Sequence, residues 1–301
     1  MTSAALSWGS AFLAFGPILA CLFLIVYQKS QLVIVVTTSA FAYLLSALVA
    51  ALVWWVFDLA GISHPVIVLL PGVFSQFLMR CGFVALYHKV EDVIERSIER
   101  HQNEQRQNET TSQAQPADPT NEWTESARLR LELNDWACGV ASGVGFGGMH
   151  AVLLYGTLLA SEVGNVGTLY QLSCLGIPGL MLSALNALMF SILDMVWMFF
   201  TFFGMRLRKS GSVLSSISTS FGSYLGYSKS SGNKALLICF ATHLAAAFAT
   251  MPNSFQGGCT ISLPLLVLIV IFTVFAFRAG VYNIYLPPNQ RRRVTGDEHR
   301  D

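Results

Sequence analysis

The chain has 301 residues, of which 53% are hydrophobic and only 12% are charged, and its net charge is +1. Soluble globular domains average about 25% charged residues, so this composition excludes an ordinary soluble domain. The charged residues are clustered, and long apolar runs lie between them. A membrane protein surrounded by membrane lipid is therefore predicted, with no nucleic-acid partner.

Seven apolar runs follow one another along the chain, and each is close to or longer than the roughly 20 residues that a helix needs to cross a bilayer. In chain order they cover about 5–26, 32–57, 65–88, 136–160, 176–203, 235–252 and 260–281. A lipid-exposed backbone must satisfy its own hydrogen bonds, so each run is predicted to be a helix. The predicted fold is a single all-α integral membrane domain over residues 1–301 with seven transmembrane helices, numbered here as spans 1 to 7.

The basic residues predict the orientation of the spans. Outside the spans, Lys and Arg occur only in the loops that follow spans 1, 3 and 5 and in the C-terminal tail. Cytosolic loops carry the excess of Lys and Arg, so the N-terminus is predicted to be outside, or lumenal, and the C-terminus cytosolic. Arg80 and Arg278 lie within spans 3 and 7, near their predicted cytosolic ends, where we expect the side chains to snorkel to water.

One segment has a composition that cannot bury a core. Residues 91–126 are rich in Glu, Gln, Asn, Thr and Pro and are predicted to form a disordered cytosolic loop. The glycosylation sequon that begins at Asn108 lies in this loop and is predicted to be unused, because the loop is cytosolic. Residues 283–301 are predicted to be a short cytosolic tail.

The six cysteines show no metal-ligand spacing, and neither a metal site nor a cofactor is predicted. Most of them lie inside spans, where a cysteine is usually a small buried apolar residue. Only Cys174 and Cys259 fall near the predicted outer face. The sequence leaves open whether these two form a disulfide.

Span 4 carries three glycines in phase, Gly139, Gly143 and Gly147. Residues four apart lie on one helix face, so the three form a flat strip along which another backbone can approach closely. In lipid, close packing of this kind drives helix association. The strip indicates either packing within the seven-helix bundle or a contact with another subunit, and the sequence alone does not separate the two.

Few strongly polar residues lie within the spans, and such residues usually face protein or a water-filled cavity. They are Gln76, Arg80, His150, Asn186, Asp194 and His243. We predict that Asp194 of span 5 and His243 of span 6 form a buried hydrogen-bonded pair. The pair either holds the two helices together or serves a proton or substrate pathway.

The motifs of other multi-span classes fit poorly. An intramembrane aspartyl protease needs two membrane-embedded aspartates, and here only Asp194 qualifies. A rhomboid-type serine protease would use Ser142 with His243, but Ser142 lies within the glycine strip, where a serine more often bonds its own i−4 carbonyl. The Asp-Arg-Tyr and Asn-Pro-x-x-Tyr motifs of G-protein-coupled receptors are absent from spans 3 and 7.

Taken together, the motifs resemble those of the anterior-pharynx-defective (Aph) subunit of gamma-secretase. Span 1 carries the family's Ala-Phe-Gly-Pro at 14–17, and span 3 carries its glutamine and arginine four apart, Gln76 and Arg80. The phased glycines occupy the place of the family's helix 4 glycine motif, and span 6 carries His243. Two positions depart from the family: Asp194 replaces a histidine of span 5, and Phe77 replaces the glutamate that follows the glutamine.

The resemblance implies a non-catalytic scaffold of a four-subunit intramembrane protease. The implied partners are homologues of presenilin, which supplies the catalytic aspartates, of nicastrin and of the presenilin-enhancer subunit. The implied substrates are type I membrane proteins such as Notch and amyloid precursor protein, in the endoplasmic reticulum, Golgi and plasma membrane. The alternative function is a transporter or channel with Asp194 and His243 on its pathway, and it would have broken or proline-interrupted helices near mid-membrane.

Overall fold

The structure is a computed structural model that describes residues 4–62, 64–111, 135–162, 170–210 and 229–282. Within these ranges, seven helices are long and apolar enough to cross a membrane, which confirms the predicted number and order of spans. They are α1 (Ala4–Val26), α2 (Ser30–Leu59), α3 (Pro65–Thr111), α4 (Asp135–Glu162), α5 (Gly179–Ser210), α6 (Lys229–Thr250) and α7 (Cys259–Phe277). Short π-helical stretches occur within α1 at Leu22–Val26, within α4 at Val152–Gly156, and after α7 at Arg278–Tyr282.

Helices α4 and α5 form the centre of the bundle. In their most apolar windows, 72% and 78% of the residues are buried by protein, whereas in the other five spans the share is between 17% and 39%. The outer helices therefore present most of their apolar side chains to the surroundings, as expected in lipid. Pro17 does not interrupt α1, which continues through it as a helix.

The glycine strip of α4 packs against α5 of the same chain. A Cβ atom at Gly139 would lie 2.8 Å from the ring of Phe199, and one at Gly143 would lie 2.7 Å from the Cα atom of Met195. At Gly147 it would lie 3.0 Å from the carbonyl oxygen of Ser191. In this structure the glycine strip packs inside the bundle, which is the first of the two interpretations left open by the sequence.

Two further close approaches involve glycine. On another face of α4, a Cβ atom at Gly145 would lie 2.4 Å from the carbonyl oxygen of Val36 in α2. Where α5 meets α6, Gly204 and Gly232 face each other, and a Cβ atom at either would lie within 2.9 Å of the other's carbonyl oxygen. Helix α4 is therefore held at backbone distance by α2 and α5, and α5 in turn by α6.

The prediction of a disordered loop at 91–126 is wrong for its first part, because α3 continues as a helix to Thr111. Glu, Gln and Arg are frequent in this stretch, and they lose little side-chain freedom in a helix. Contacts with α5 also support it, since Lys209 forms an ion pair with Asp92. The rest of that segment, 112–126, and the predicted tail 283–301 lie outside the described residues.

At the end of the bundle where α5 and α7 begin, a short antiparallel pair of strands connects to the start of α7. Strands β1 (Tyr170–Gln171) and β2 (Cys174–Pro178) pair with Gln171 opposite Cys174. Cys174 and Cys259 form a disulfide, which answers the question that the sequence left open. The backbone N–H of Cys259 also donates to the carbonyl oxygen of Ser173, with a distance of 3.1 Å.

Candidate functional site

A group of polar side chains, called here the central cluster, lies between four helices, and all of its members except Gln76 are buried. Its members are Gln76 and Arg80 of α3, His150 of α4, Asp194 of α5 and His243 of α6. Arg80 and Asp194 are 0% exposed, and the guanidinium Nη2 of Arg80 donates to Oδ1 of Asp194. The expectation that Arg80 snorkels is wrong, because its charge is neutralised by a carboxylate at the same depth.

The predicted direct contact between Asp194 and His243 is not formed. Arg80 lies between the two residues and bonds to both. Nη1 of Arg80 lies 3.1 Å from Nδ1 of His243. The second oxygen of Asp194, Oδ2, lies 2.8 Å from Nδ1 of His150. The sequence placed His150 among the intramembrane polar residues without giving it a partner. In the structure it is the second hydrogen-bond partner of the Asp194 carboxylate.

Side chains around Arg80 complete its environment. Nη2 of Arg80 lies 3.4 Å from Oε1 of Gln76, whose Nε2 lies 3.4 Å from the hydroxyl of Tyr43 in α2. The guanidinium also lies over the rings of Phe146 and Trp197, at 5.4 and 5.0 Å from their centroids. Desolvated cation–π contacts of this kind stabilise by up to about 2 kcal/mol, so α2, α4 and α5 all contribute to holding the charge.

The structure also accounts for the residue at position 77. The resemblance to the Aph family leads one to expect a glutamate there, three residues before Arg80, but Phe77 packs against Phe240 of α6 with ring centroids 5.2 Å apart. The carboxylate that neutralises Arg80 comes instead from Asp194 on α5.

Both oxygens of Asp194 are bonded within the bundle, one to a guanidinium and one to an imidazole. Ser142 is fully buried, and its hydroxyl donates to the carbonyl oxygen of Cys138, with a distance of 2.6 Å, as predicted for a serine within the strip. Helices α3, α4, α5 and α6 are thus joined by side-chain hydrogen bonds near mid-membrane.

A cavity of about 290 Å³ adjoins the central cluster. Its polar lining consists of Gln76, His150, Asn186, His243 and Thr250. The apolar part of the lining comes from the same four helices, and the carboxylate of Asp194 lies outside it. The cavity therefore meets the central cluster at Gln76, His150 and His243.

A second ionic group, called here the end cluster, lies where α3 leaves the apolar region. It consists of Glu91, Asp92, Asp135, Arg206 and Lys209. Nε of Arg206 donates to Asp135, with a distance of 2.9 Å, and Nη1 of the same side chain lies 2.7 Å from Glu91. These side chains are between 15% and 38% exposed, so the ion pairs of the end cluster are partly exposed, whereas the Arg80–Asp194 pair of the central cluster is fully enclosed.

The helices and the two clusters define a multi-pass α-helical membrane protein whose centre is held by an internal glycine strip and a buried ion pair. The profile of the Aph-1 protein family matches residues 5–281. The chain therefore belongs to the Aph-1 family, which confirms the resemblance found in its sequence. It is also 27% identical over 279 residues to an Arabidopsis thaliana protein named gamma-secretase subunit APH1-like, and the alignment covers 88% of each chain.

Proposed function

We propose that this protein is a non-catalytic scaffold subunit of a gamma-secretase, an intramembrane aspartyl protease complex. The observation that carries the proposal is the family match over residues 5–281 together with the name of the Arabidopsis relative. The central cluster supports the non-catalytic part, because Asp194 is paired with Arg80 and His150. A pair of catalytic aspartates needs two carboxylates that share one site.

The proposed partners are homologues of presenilin, nicastrin and the presenilin-enhancer subunit. In this scheme the presenilin homologue supplies the catalytic aspartates, and the complex cleaves type I membrane proteins such as Notch and amyloid precursor protein. The glycine strip contributes indirectly, because it holds α4 and α5 together inside the chain. Partner helices would then contact the outer helices, whose apolar side chains are widely exposed.

The disulfide supports the predicted orientation of this subunit. Disulfides persist in oxidising compartments and are rare in the cytosol. Cys174 and Cys259 lie at the end of the bundle that the charge pattern predicts to be outside, and the basic residues Arg206 and Lys209 lie at the other end. Both features fit a lumenal N-terminus in a multi-pass protein of the endoplasmic reticulum, Golgi and plasma membrane.

The transporter alternative is less well supported by the geometry. It places Asp194 and His243 on a pathway, but Asp194 is 0% exposed and does not line the cavity next to it. It also expects broken helices near mid-membrane, whereas α1 is continuous through Pro17.

The proposal is tested by purifying the tagged protein in mild detergent from its native membranes and quantifying the co-purifying proteins by mass spectrometry. We expect presenilin and nicastrin homologues at near-equal amounts. The substitution Gly143→Leu should insert normally and lose these partners, because its side chain would displace the backbone at Met195, and overpacking a tight contact costs about 1–3 kcal/mol.

The matched control is Gly156→Leu on the same helix, because a Cβ atom at Gly156 would meet only the side chain of Val152, at an ordinary contact distance of 3.7 Å. It should retain the partners at wild-type amounts. If the wild-type protein purifies alone, the scaffold proposal fails. If Gly143→Leu retains its partners as well as Gly156→Leu does, the role given to the glycine strip is wrong.

A further inference from the structure

A folded cap lies at the end of the bundle that carries the disulfide. It consists of the strand pair, residues 170–178, and of the connection between α6 and α7, residues 251–258, and the two segments together are called here the disulfide cap. Cys174 of β2 is joined to Cys259, the first residue of α7. Both cysteines are buried against Leu182 of α5, so the cap is fixed to the first turns of both helices.

Four large apolar side chains of the cap are exposed. They are Tyr170, Leu172, Leu175 and Phe255, with exposed fractions of 54%, 73%, 60% and 70%. Leu172 lies at the turn of the hairpin, and its carbonyl oxygen accepts from the backbone N–H of Gly257, with a distance of 3.2 Å. Neither segment contains Asp, Glu, Lys or Arg. An uncharged surface with several large apolar side chains indicates contact with a membrane or with another protein.

The backbone at the tip of the cap has its hydrogen bonds within the chain. The carbonyl oxygens of Leu172 and Ser173 accept from the N–H groups of Gly257 and Cys259, with distances of 3.2 and 3.1 Å. Both backbone groups of Phe255 are also bonded within the connection. Backbone groups that enter a bilayer must find partners inside the protein. The tip therefore meets the condition for leaving water.

The apolar surface of α7 begins where the cap ends. Ile261, two residues after Cys259, is 61% exposed, and Leu265 and Leu268 continue the same face of the helix with exposed fractions of 42% and 62%. No charged residue occurs between the start of the connection at 251 and the last residue of α7, Phe277. The surface that α7 presents to lipid is thus continuous along the chain with the cap, and this continuity favours lipid over a second protein as the partner.

The side chains of the cap also have the chemistry of the boundary between acyl chains and headgroups. Tyrosine is enriched at this boundary because it has an apolar ring and a polar hydroxyl. Gln171 and Gln256 are exposed beside Leu172 and Phe255, and their uncharged amides suit the same region. Since the cap has no charge, it has no means of selecting a charged headgroup or a charged protein surface.

We propose that the disulfide cap is a membrane-interface anchor whose partner is phospholipid of any headgroup. Leu172, Leu175 and Phe255 enter the acyl-chain boundary of the leaflet at the disulfide end, and Tyr170 lies at the level of the headgroups. The cap thereby sets the depth at which α5 and α7 begin. The inference concerns this chain alone and stands apart from the role proposed for it in a protease complex.

Photocrosslinking from the cap tests the proposal, because it distinguishes lipid, protein and water. Leu172 or Phe255 of the full chain is replaced by p-benzoylphenylalanine, and each variant is reconstituted in phosphatidylcholine vesicles with alkyne-tagged acyl chains. Irradiation is followed by measurement of the alkyne attached to the protein. The same replacement at Ile261, exposed on α7, is the control in lipid, and at Arg100, exposed on the charged part of α3, the control in water.

We expect lipid adducts at Leu172 and Phe255 within about twofold of those at Ile261 and at least about fivefold above those at Arg100, because acyl chains are excluded from water. Leu175 gives the same test if the Leu172 variant is poorly expressed. In native membranes the two cap variants should again form lipid adducts, without a protein adduct of defined mass.

Two outcomes would overturn the proposal. Lipid adducts at both cap positions as rare as those at Arg100 would place the cap in water. A protein adduct that replaces the lipid adduct in native membranes would make the cap a docking surface for a partner protein. Neither outcome bears on whether presenilin and nicastrin homologues co-purify with the chain, so the anchor and the scaffold role fail separately.

Discussion

The central and end clusters contain similar ion pairs in very different surroundings. In the central cluster, Arg80 and Asp194 are 0% exposed and bond to two histidines and a glutamine. In the end cluster, Lys209 and Asp92 are 38% and 35% exposed. Burial removes the water that would otherwise solvate a charge left without its partner, so the same chemistry is expected to have very different consequences at the two depths.

This comparison shows which ion pair the bundle depends on. An exposed pair contributes about 0–1 kcal/mol and is screened by salt. A buried pair is weak evidence of net stabilisation, but removing one partner costs about 3–5 kcal/mol because the other charge stays behind. The central cluster should therefore be intolerant of single changes, and the end cluster tolerant.

The largest effect is expected for Asp194→Leu. The substitution leaves the charge of Arg80 without a carboxylate and His150 without an acceptor, and we expect the free energy of unfolding to fall by about 3–5 kcal/mol. Unfolding by SDS in mixed micelles measures this change. A loss below about 1 kcal/mol, within the range of an exposed pair, would mean that the cluster does not bear on the stability of the bundle.

An intermediate effect is expected for Cys174→Ser, which breaks the link to Cys259 across 85 residues of chain. A disulfide of this kind typically stabilises by about 2–4 kcal/mol. The same unfolding assay should show this loss in oxidised protein, and the wild type treated with reductant should match the variant. Identical stability of the variant and the wild type under oxidising conditions would indicate that the two cysteines are reduced in the native protein.

The smallest effect is expected for Asp92→Asn in the end cluster. Its partner Lys209 is partly exposed, so the loss should be about 0.2–1 kcal/mol and should shrink further at high salt. Asp58→Asn, at an exposed aspartate near the end of α2, is the control and should change little. A loss at Asp92 as large as that at Asp194 would remove the distinction between the two clusters.

The sequence predicted the number of spans and pointed to the glycine strip, but it identified the members of the central cluster only as polar residues within the spans and predicted one contact among them. Apolar length and glycine phase are local properties of the chain, and they depend little on how the helices are arranged. The partner of Arg80 could not be predicted, because hydropathy gives only an approximate depth and no indication of which faces meet. Arg80 was therefore expected to reach water, and Asp194 was paired with His243 without the arginine that lies between them.

The extent of α3 was missed for a related reason. A charged, glutamine-rich stretch reads as disordered when it is considered alone, because it has no apolar surface to bury. In the folded chain its first turns adjoin α5, where Arg206 and Lys209 pair with Glu91 and Asp92. Tertiary contacts of this kind extend a helix beyond what its own composition predicts.

The central claim, that Arg80 and Asp194 matter as a neutral pair inside the bundle, is tested most directly by the double variant Arg80→Met/Asp194→Leu. Replacing both members of a buried ion pair with apolar residues is often close to neutral. We therefore expect the double variant to be more stable to SDS-induced unfolding than Asp194→Leu alone. Losses of stability from Arg80→Met and Asp194→Leu that simply add in the double variant would show that the two residues do not act as a pair.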